Sequence, residues 1–268
     1  MKILIIEPYF TGSHKQWAES YKRNSSHHIK ILSLKGQFWK WRMHGGAITL
    51  AKMFNAMDWL PDLIFATDML DLNTFLSLTR NKSNGIPTAI YFHENQLSYP
   101  WSPFDRDIKN KRDSHYGFIN YSSALAADKV FFNSEFHMKS FLNALNPFLK
   151  QFPDYQELDT INVIKEKSEV LFLGIDLTPF RKHILIKDSR PNILWNHRWE
   201  YDKNPQSFFS VLKRVKNEGN DFGLVILGEH FSKTPKVFEE SKKEFVNQIV
   251  HWGYVDSFEE YAKWLWKS

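Results

Sequence analysis

Residues His93, Glu94, Asn95 and Gln96 set an imidazole, a carboxylate and two amides side by side. Such a set could carry acid, base and hydrogen-bonding roles. The four residues follow Pro87-Thr-Ala-Ile-Tyr-Phe92, whose apolar run reads as a buried parallel strand over Thr88 to Phe92. In an open α/β sheet, ligands bind in the crevice beyond the carboxyl ends of the strands, which is where this cluster falls. The same residues would also suit a loop cap, and the strand by itself does not separate the two readings.

Other candidates share that setting. Gly12, between a first strand and a first helix, would let the backbone approach a ligand, and Ser13 is placed to cap the helix, whose N-terminus favours an anion. A single glycine would equally serve a tight turn. Trp39-Lys-Trp-Arg42 interleaves aromatics with cations, so that Trp39 and Trp41 could stack on bases or sugars while Lys40 and Arg42 take phosphates. Anchoring a loop to the core is the competing reading for the two tryptophans. Ser134 ends another strand, N-caps the next helix and falls near the same crevice.

These residues need a scaffold, and the composition permits one. The chain has 268 residues, 43% hydrophobic and 24% charged, enough for real cores and unlike a disordered chain. Aromatic content is 16%, which suits a surface that binds something. A net charge of +5 and a pI near 9.1 permit a polyanionic partner such as RNA without requiring one. The absence of cysteine excludes disulfides and thiolate metal sites. The apolar run at Ile3 to Ile6 is too short for a signal peptide, and no segment approaches the roughly 18 apolar residues of a membrane span. A cytoplasmic protein is expected.

Strands are expected at Lys2–Glu7, His28–Leu34, Asp62–Asp68, Thr88–Phe92, Lys129–Ser134 and Glu169–Gly174. Helices are expected at His14–Arg23, Ala47–Met57, Leu72–Arg80, His115–Ala127 and Glu135–Leu149. Residues 37–46 read as a loop, Trp101 to Arg112 as a mobile charged connection, and Gln151 to Lys167 as a linker or lid. Pro179 to Pro191 reads as a hinge. A second series follows, with strands at Asn192–Asn196, Phe222–Gly228 and Ile249–Val255. Its helices run over Pro205–Gly219, Lys236–Gln248 and Ser257–Lys267. The organisation is therefore an α/β fold with an N-terminal Rossmann-like domain, 1–178, and a smaller one, 188–268.

Two such halves, with polar residues at strand ends, resemble the GT-B arrangement of nucleotide-sugar glycosyltransferases. Asn196-His-Arg-Trp-Glu-Tyr-Asp-Lys-Asn-Pro205 resembles their retaining pattern of a strand, an Arg, a Lys five positions later and a helix. A guanidinium and an ammonium at a helix N-terminus can hold a diphosphate and its developing charge without a metal; solvated loop charges are the competing reading. More specifically, Ile5-Ile-Glu-Pro-Tyr-Phe-Thr-Gly-Ser-His-Lys-Gln16, Trp39-Lys-Trp-Arg42, Tyr91-Phe-His-Glu-Asn-Gln-Leu-Ser-Tyr-Pro100, Tyr116-Gly117 and Phe132-Asn-Ser134 resemble the tRNA-queuosine α-mannosyltransferase family.

That resemblance implies transfer of mannose from GDP-mannose to the cyclopentene-diol of queuosine in a tRNA anticodon, with retention and with no metal or other cofactor. It implies His93 near the transferred sugar, Arg198 and Lys203 as the diphosphate clamp, and Gly12 beside the donor phosphate. Gly228 and Glu229 would line the nucleotide. His14, Lys15, Trp41 and Gln96, together with Arg42, Glu94 and Ser134, would contact substrate. Donor would bind on the C-terminal side of a cleft and tRNA on the N-terminal side. The absence of an obvious nucleophilic carboxylate suits front-side attack by the acceptor hydroxyl.

The family's Glu-x7-Glu element has no counterpart after Trp266, and Glu239, Glu240 and Glu244 lie on an earlier helix. A partial C-terminal domain is therefore expected. Two rival functions remain open on these residues: a GT-B enzyme acting on a lipid or polysaccharide, and a non-catalytic RNA- or nucleotide-binding protein. The oligomeric state is not legible.

Overall fold

The computed structural model describes residues 1–102, 105, 107, 114–185, 189–229 and 234–268. It divides into two compact units, Met1–Ile175 and Asp176–Ser268.

The first unit is built on six parallel strands: β1 (Lys2–Phe10), β2 (His28–Lys35), β3 (Leu63–Thr67), β4 (Thr88–Phe92), β5 (Lys129–Phe132) and β6 (Ser168–Val170). Their order across the sheet is β2-β1-β3-β4-β5-β6. Alternate residues of each strand face opposite sides. Leu4, Ile6, Ile64, Ala66, Ile90, Phe92, Val130 and Phe132 supply one core. On that side lie α2 (Trp39–Asn55), α3 (Leu72–Ser83), α4 (Ser114–Ala126), α5 (Glu135–Leu149) and α6 (Thr160–Glu166). Ile3, Ile5, Phe65, Ala89 and Tyr91 face the other way, against Ala18 and Trp17 of α1 (Gly12–Asn24). Burying each large apolar side chain is worth about 1.5–3 kcal/mol, so both faces hold the sheet.

The chain runs from β1 outward to β2, then back across β1 to β3. It therefore leaves β1 toward the α1 face and leaves β3 toward the opposite face. The carboxyl ends of β1 and β3 thus flank a topological switch point, the place where open α/β sheets form a ligand crevice.

Four expectations from the sequence are corrected in this unit. Residues 39–46 are helical, the first two turns of α2, because Gly46 lets the helix lie close on the sheet; a Cβ there would sit 3.3 Å from Pro8 Cβ. The expected linker 151–167 contains α6, which contributes buried Ile164. The sixth strand stops at Val170, and Phe172 beyond it is 75% exposed. Ser13 lies inside α1, whose cap position is Thr11. Much of the expected mobile connection (103–104, 106 and 108–113) lies outside the described residues, as do 186–188 of the expected hinge.

The second unit holds β7 (Asn192–Trp195), β8 (Gly223–Ile226) and β9 (Ile249–Trp252), parallel and in that order. The short α7 (Thr178–Arg181) precedes them. The helices α8 (Pro205–Asn217), α9 (Val237–Glu244) and α10 (Phe258–Lys267) complete it. Trp195, Trp199, Phe209, Phe238 and Phe245 fill its core.

Candidate active site

Glu7 on β1 is fully buried. One of its carboxylate oxygens accepts the Tyr9 backbone N–H at 2.8 Å, and the other lies 3.0 Å from His14 Nδ1. His14 stands on the first turn of α1, where the chain has turned after β1 at Gly12, whose φ is +49°. That left-handed value suits glycine, and nothing lies within 4 Å of where a Cβ would point. Burial disfavours the charged form of His14. The hydrogen bond and charge of Glu7, with Asp68 and Glu94 adding to the field, outweigh burial and raise its pKa to about 9. His14 is an imidazolium at neutral pH.

Asp68, just past β3, is also buried. Its Oδ1 accepts the backbone N–H of His93 at 2.9 Å and lies 3.3 Å from His93 Nδ1. Burial raises a carboxyl pKa, yet the hydrogen bond from His93 and the charge on His14 hold Asp68 below the usual carboxylate value. His93 follows β4, and its ring packs against three others. It lies 4.3 Å from His14, 4.7 Å edge-on from Trp17 and 4.9 Å from Tyr91, centroid to centroid. Burial, with a contribution from Asp68, pushes the Tyr91 hydroxyl up to about 12.

The His93 main chain is held as well. Asn133 Nδ2 donates to its carbonyl at 2.8 Å, and Asn133 Oδ1 faces His137 Nδ1 at 3.1 Å. Asn120 of α4 donates to the Asp68 carbonyl and accepts the Gln96 N–H at 2.7 Å. Two carboxylates and two imidazoles thus converge at the switch point, with a second layer of amides fixing the loops that carry them.

Of the expected site residues, His14 and His93 are brought together, with Gly12 close by in sequence at the helix start. Gln96 is buried, and its side-chain amide turns onto Glu94 at 3.2 Å. Lys15 is exposed, pairing loosely with Glu19 at 3.9 Å. The Ser134 hydroxyl is occupied as the N-cap of α5, accepting the His137 N–H at 3.2 Å. Trp41 is 63% exposed on α2, and Arg42 Nε donates to the Lys35 carbonyl. Lys40, one position before Trp41, is tied to Asp105 and Asp107, so it is not free for phosphate. Glu7 and Asp68 were not singled out in the sequence, although each is a carboxylate at the polar end of an apolar strand.

Glu7, His14 and His93 also have metal-ligating atoms within 4.8 Å of one another. A tetrahedral shell with bonds of about 2.0–2.1 Å places its ligand atoms roughly 3.3 Å apart. As placed, these groups form a hydrogen-bonded pair beside a stacked ring rather than a coordination sphere. A separate hollow of about 760 Å³ opens beside α4, lined by His44, His115, Tyr116, Phe118 and Phe152 among others. His44 and His115 stack there at 4.4 Å, nearly parallel.

In the second unit, the loop after β7 is sewn to the end of β8. Trp199 donates its backbone N–H to the Glu229 carbonyl and its indole N–H to the Leu227 carbonyl. Gly228 has φ +102°, and a Cβ on it would lie 2.0 Å from the His197 carbonyl oxygen. Its glycine is therefore demanded by backbone contact. Arg198, between these anchors, pairs with Glu200 at 3.1 Å, and Lys203 with Asp202 at 2.8 Å. Glu229 is exposed. Pro205 opens α8, with the Asn204 side chain capping it. The loop beyond Glu229, at 230–233, lies outside the described residues.

A family model described as the N-terminal region of tRNA-queuosine alpha-mannosyltransferase matches residues 2–175. A tRNA-queuosine alpha-mannosyltransferase from Drosophila melanogaster is 34% identical over 273 residues, covering 98% of this chain and 70% of the relative. This chain belongs to the tRNA-queuosine alpha-mannosyltransferase family. In fold, it is similar to a UDP-forming α,α-trehalose-phosphate synthase from Burkholderia xenovorans (TM-score 0.58, 11% identity, 99% of this chain and 76% of that one). It is also similar to a lipopolysaccharide outer core galactosyltransferase (TM-score 0.53, 11% identity, 96% and 69%). At that identity the likeness shows the fold alone, which is the GT-B-like pair of Rossmann-like domains. The family's matched N-terminal region contains the whole switch-point cluster, from Glu7 to His137. Among the described residues, no helix of this family member is long and apolar enough to cross a membrane.

Proposed function

We propose that this protein transfers mannose from GDP-mannose to the cyclopentene-diol of queuosine in a tRNA anticodon, with retention at the anomeric carbon. The observation that carries this reading is the 34% identity to the Drosophila mannosyltransferase across 98% of the chain. The switch-point cluster supports it, because paired imidazoles held by buried carboxylates suit the orientation of hydroxyl-bearing substrates. In this reading, Gly12 leaves open space for a donor phosphate at the start of α1, where helix N–H groups and the His14 cation favour an anion.

Arg198 and Lys203 would meet the diphosphate, exchanging their local carboxylate partners for phosphate oxygens. Gly228 and Glu229 would border the nucleotide. On the acceptor side, exposed Trp41 and the stacked imidazoles beside α4 offer surfaces for unpaired anticodon bases. The cytoplasm, where tRNA is modified, would be its location. No metal ion is required by this reading, since cationic side chains can neutralise the leaving group.

The test is transfer of radiolabelled mannose from GDP-mannose to queuosine-containing tRNA, with tRNA lacking queuosine as the control. Label on queuosine tRNA alone is expected. Absence of label, with GDP-mannose still bound, would reassign the acceptor.

A further inference from the structure

The two histidines at the switch point are each held by a different buried carboxylate, and the two pairings are not equivalent. Asp68 accepts from both the backbone N–H and the ring Nδ1 of His93. A carboxylate can only accept, so Nδ1 must carry the ring proton. In the neutral tautomer that this contact selects, the lone pair is at Nε2. That atom is buried and makes no hydrogen bond among the described residues, in a side chain only 10% exposed. An unmet buried ring nitrogen is costly unless a ligand completes it.

His14, whose ring centre is 4.3 Å from that of His93, is held through the same ring nitrogen but in a more acidic setting. Its Nδ1 hydrogen-bonds to Glu7, and the groups facing it are Glu7 from β1, Asp68 from the end of β3, and Glu94, His93 and Tyr9. The three carboxylates favour the protonated ring and so keep it a donor. A donor ring and an acceptor nitrogen, side by side, match a hydroxyl group that both gives and receives a hydrogen bond, as sugar and diol hydroxyls do.

We propose that Asp68 and Glu7 are positioning residues of the transfer reaction, Asp68 fixing His93 so that Nε2 accepts a hydrogen bond from a substrate hydroxyl, and Glu7 fixing His14 beside it as the donor. The inference rests on the transfer reaction proposed above for its substrate. The tautomer it assigns does not depend on that reaction.

Two measurements test it. The first is ¹⁵N NMR of the histidine rings in the full chain, with His93 identified by the signals lost in His93→Gln. The Nδ1-protonated tautomer is expected, and an Nε2-protonated His93 would overturn the assignment whether or not any sugar is transferred. The second is steady-state kinetics. Asp68→Asn should lower kcat by roughly 10–100-fold with donor KM little changed, the size seen when an orienting partner is lost. Glu7→Gln should move the alkaline limb of the kcat profile down from near pH 9, the value set by the Glu7 contact. An Asp68→Asn enzyme with unchanged kcat, or an unmoved alkaline limb in Glu7→Gln, would overturn the positioning roles. A wild-type protein that transfers no mannose, yet shows the Nδ1 tautomer, would fault the substrate and leave the arrangement standing.

Discussion

Glu7 and His14 are joined at 3.0 Å inside a fold that buries the carboxylate completely, and that contact ties stability to pH. The folded imidazole is raised to a pKa of about 9 from its ordinary 6.5. A raised folded pKa gives stability that is fully present below about pH 6.5 and is lost as pH rises toward 9. At about 1.36 kcal/mol per pH unit, the loss is roughly 3 kcal/mol. Asp68, held below the usual carboxylate value, adds stability that is lost only as pH falls below that range. Chemical denaturation at intervals from pH 6 to 9.5 should show wild type weakening across this window. His14→Gln should be nearly flat over it, and parallel slopes would refute the linkage.

Two glycines beside the expected ligands should behave oppositely. Gly228→Ala would drive a Cβ to 2.0 Å from the His197 carbonyl oxygen at φ +102°, against the His197–Arg198 backbone with nothing flexible to yield. We expect at least about 3 kcal/mol of destabilisation of the second unit. Gly12→Ala meets open space at φ +49°, so only the left-handed conformation is penalised, by roughly 1 kcal/mol. Thermal melts of the two variants decide the contrast. Gly12→Ala should remain folded and lose donor affinity, as a methyl group would occupy the space left for phosphate.

Much of this architecture was legible from local pattern. The β4 run Thr88–Phe92 and the helix Glu135–Leu149 with its Ser134 cap are where the sequence places them, because apolar burial and capping are set by neighbours in the chain. The start of α2 was not legible. Gly45 and Gly46 read as a loop, but Gly46 lets the helix pack closely on the sheet near Pro8 and Leu34 and Gly45 leaves room for the Trp41 ring, a tertiary reason that overrides propensity. The site was half legible for the same cause. His93 announces itself as a polar residue after an apolar strand. Its partner Asp68 is 25 residues away, and only the strand order brings the two together. Likewise, Lys40 looked like a phosphate ligand until the fold placed Asp105 and Asp107 against it.

Arg198 tests the donor assignment. Its guanidinium is held near Glu200 by a loop in which the Trp195 indole donates to the His197 carbonyl and the Trp199 indole to the Leu227 carbonyl just past β8, so replacing it removes charge without removing the anchor. The surface ion pair itself is worth little, and Arg198→Ala should melt within about 0.5 kcal/mol of wild type. If the side chain meets the diphosphate as the leaving group departs, kcat/KM should fall about 100-fold and GDP affinity should fall with it. Unchanged turnover would sink the clamp.

Trp41 offers the cleanest separation of acceptor binding from folding. It is 63% exposed, and its ring lies along its own helix over Gly45, where a Cβ would come within 2.5 Å of it. A flat, accessible indole supported from beneath is a stacking platform, and each base stacked on such a ring contributes about 1–3 kcal/mol. Trp41→Ala should therefore raise the KM for tRNA by roughly 5–100-fold, while GDP binding and the melting temperature stay near wild type. The neighbouring Arg42→Ala should weaken tRNA binding less, and in a salt-dependent way, because its contribution would be electrostatic. Filter binding of tRNA at two ionic strengths distinguishes them: the loss in Trp41→Ala should persist in high salt, and the loss in Arg42→Ala should vanish. If neither variant binds tRNA more weakly than wild type, the acceptor does not lie across the start of α2, and the hollow beside His44 and His115 becomes the surface to mutate.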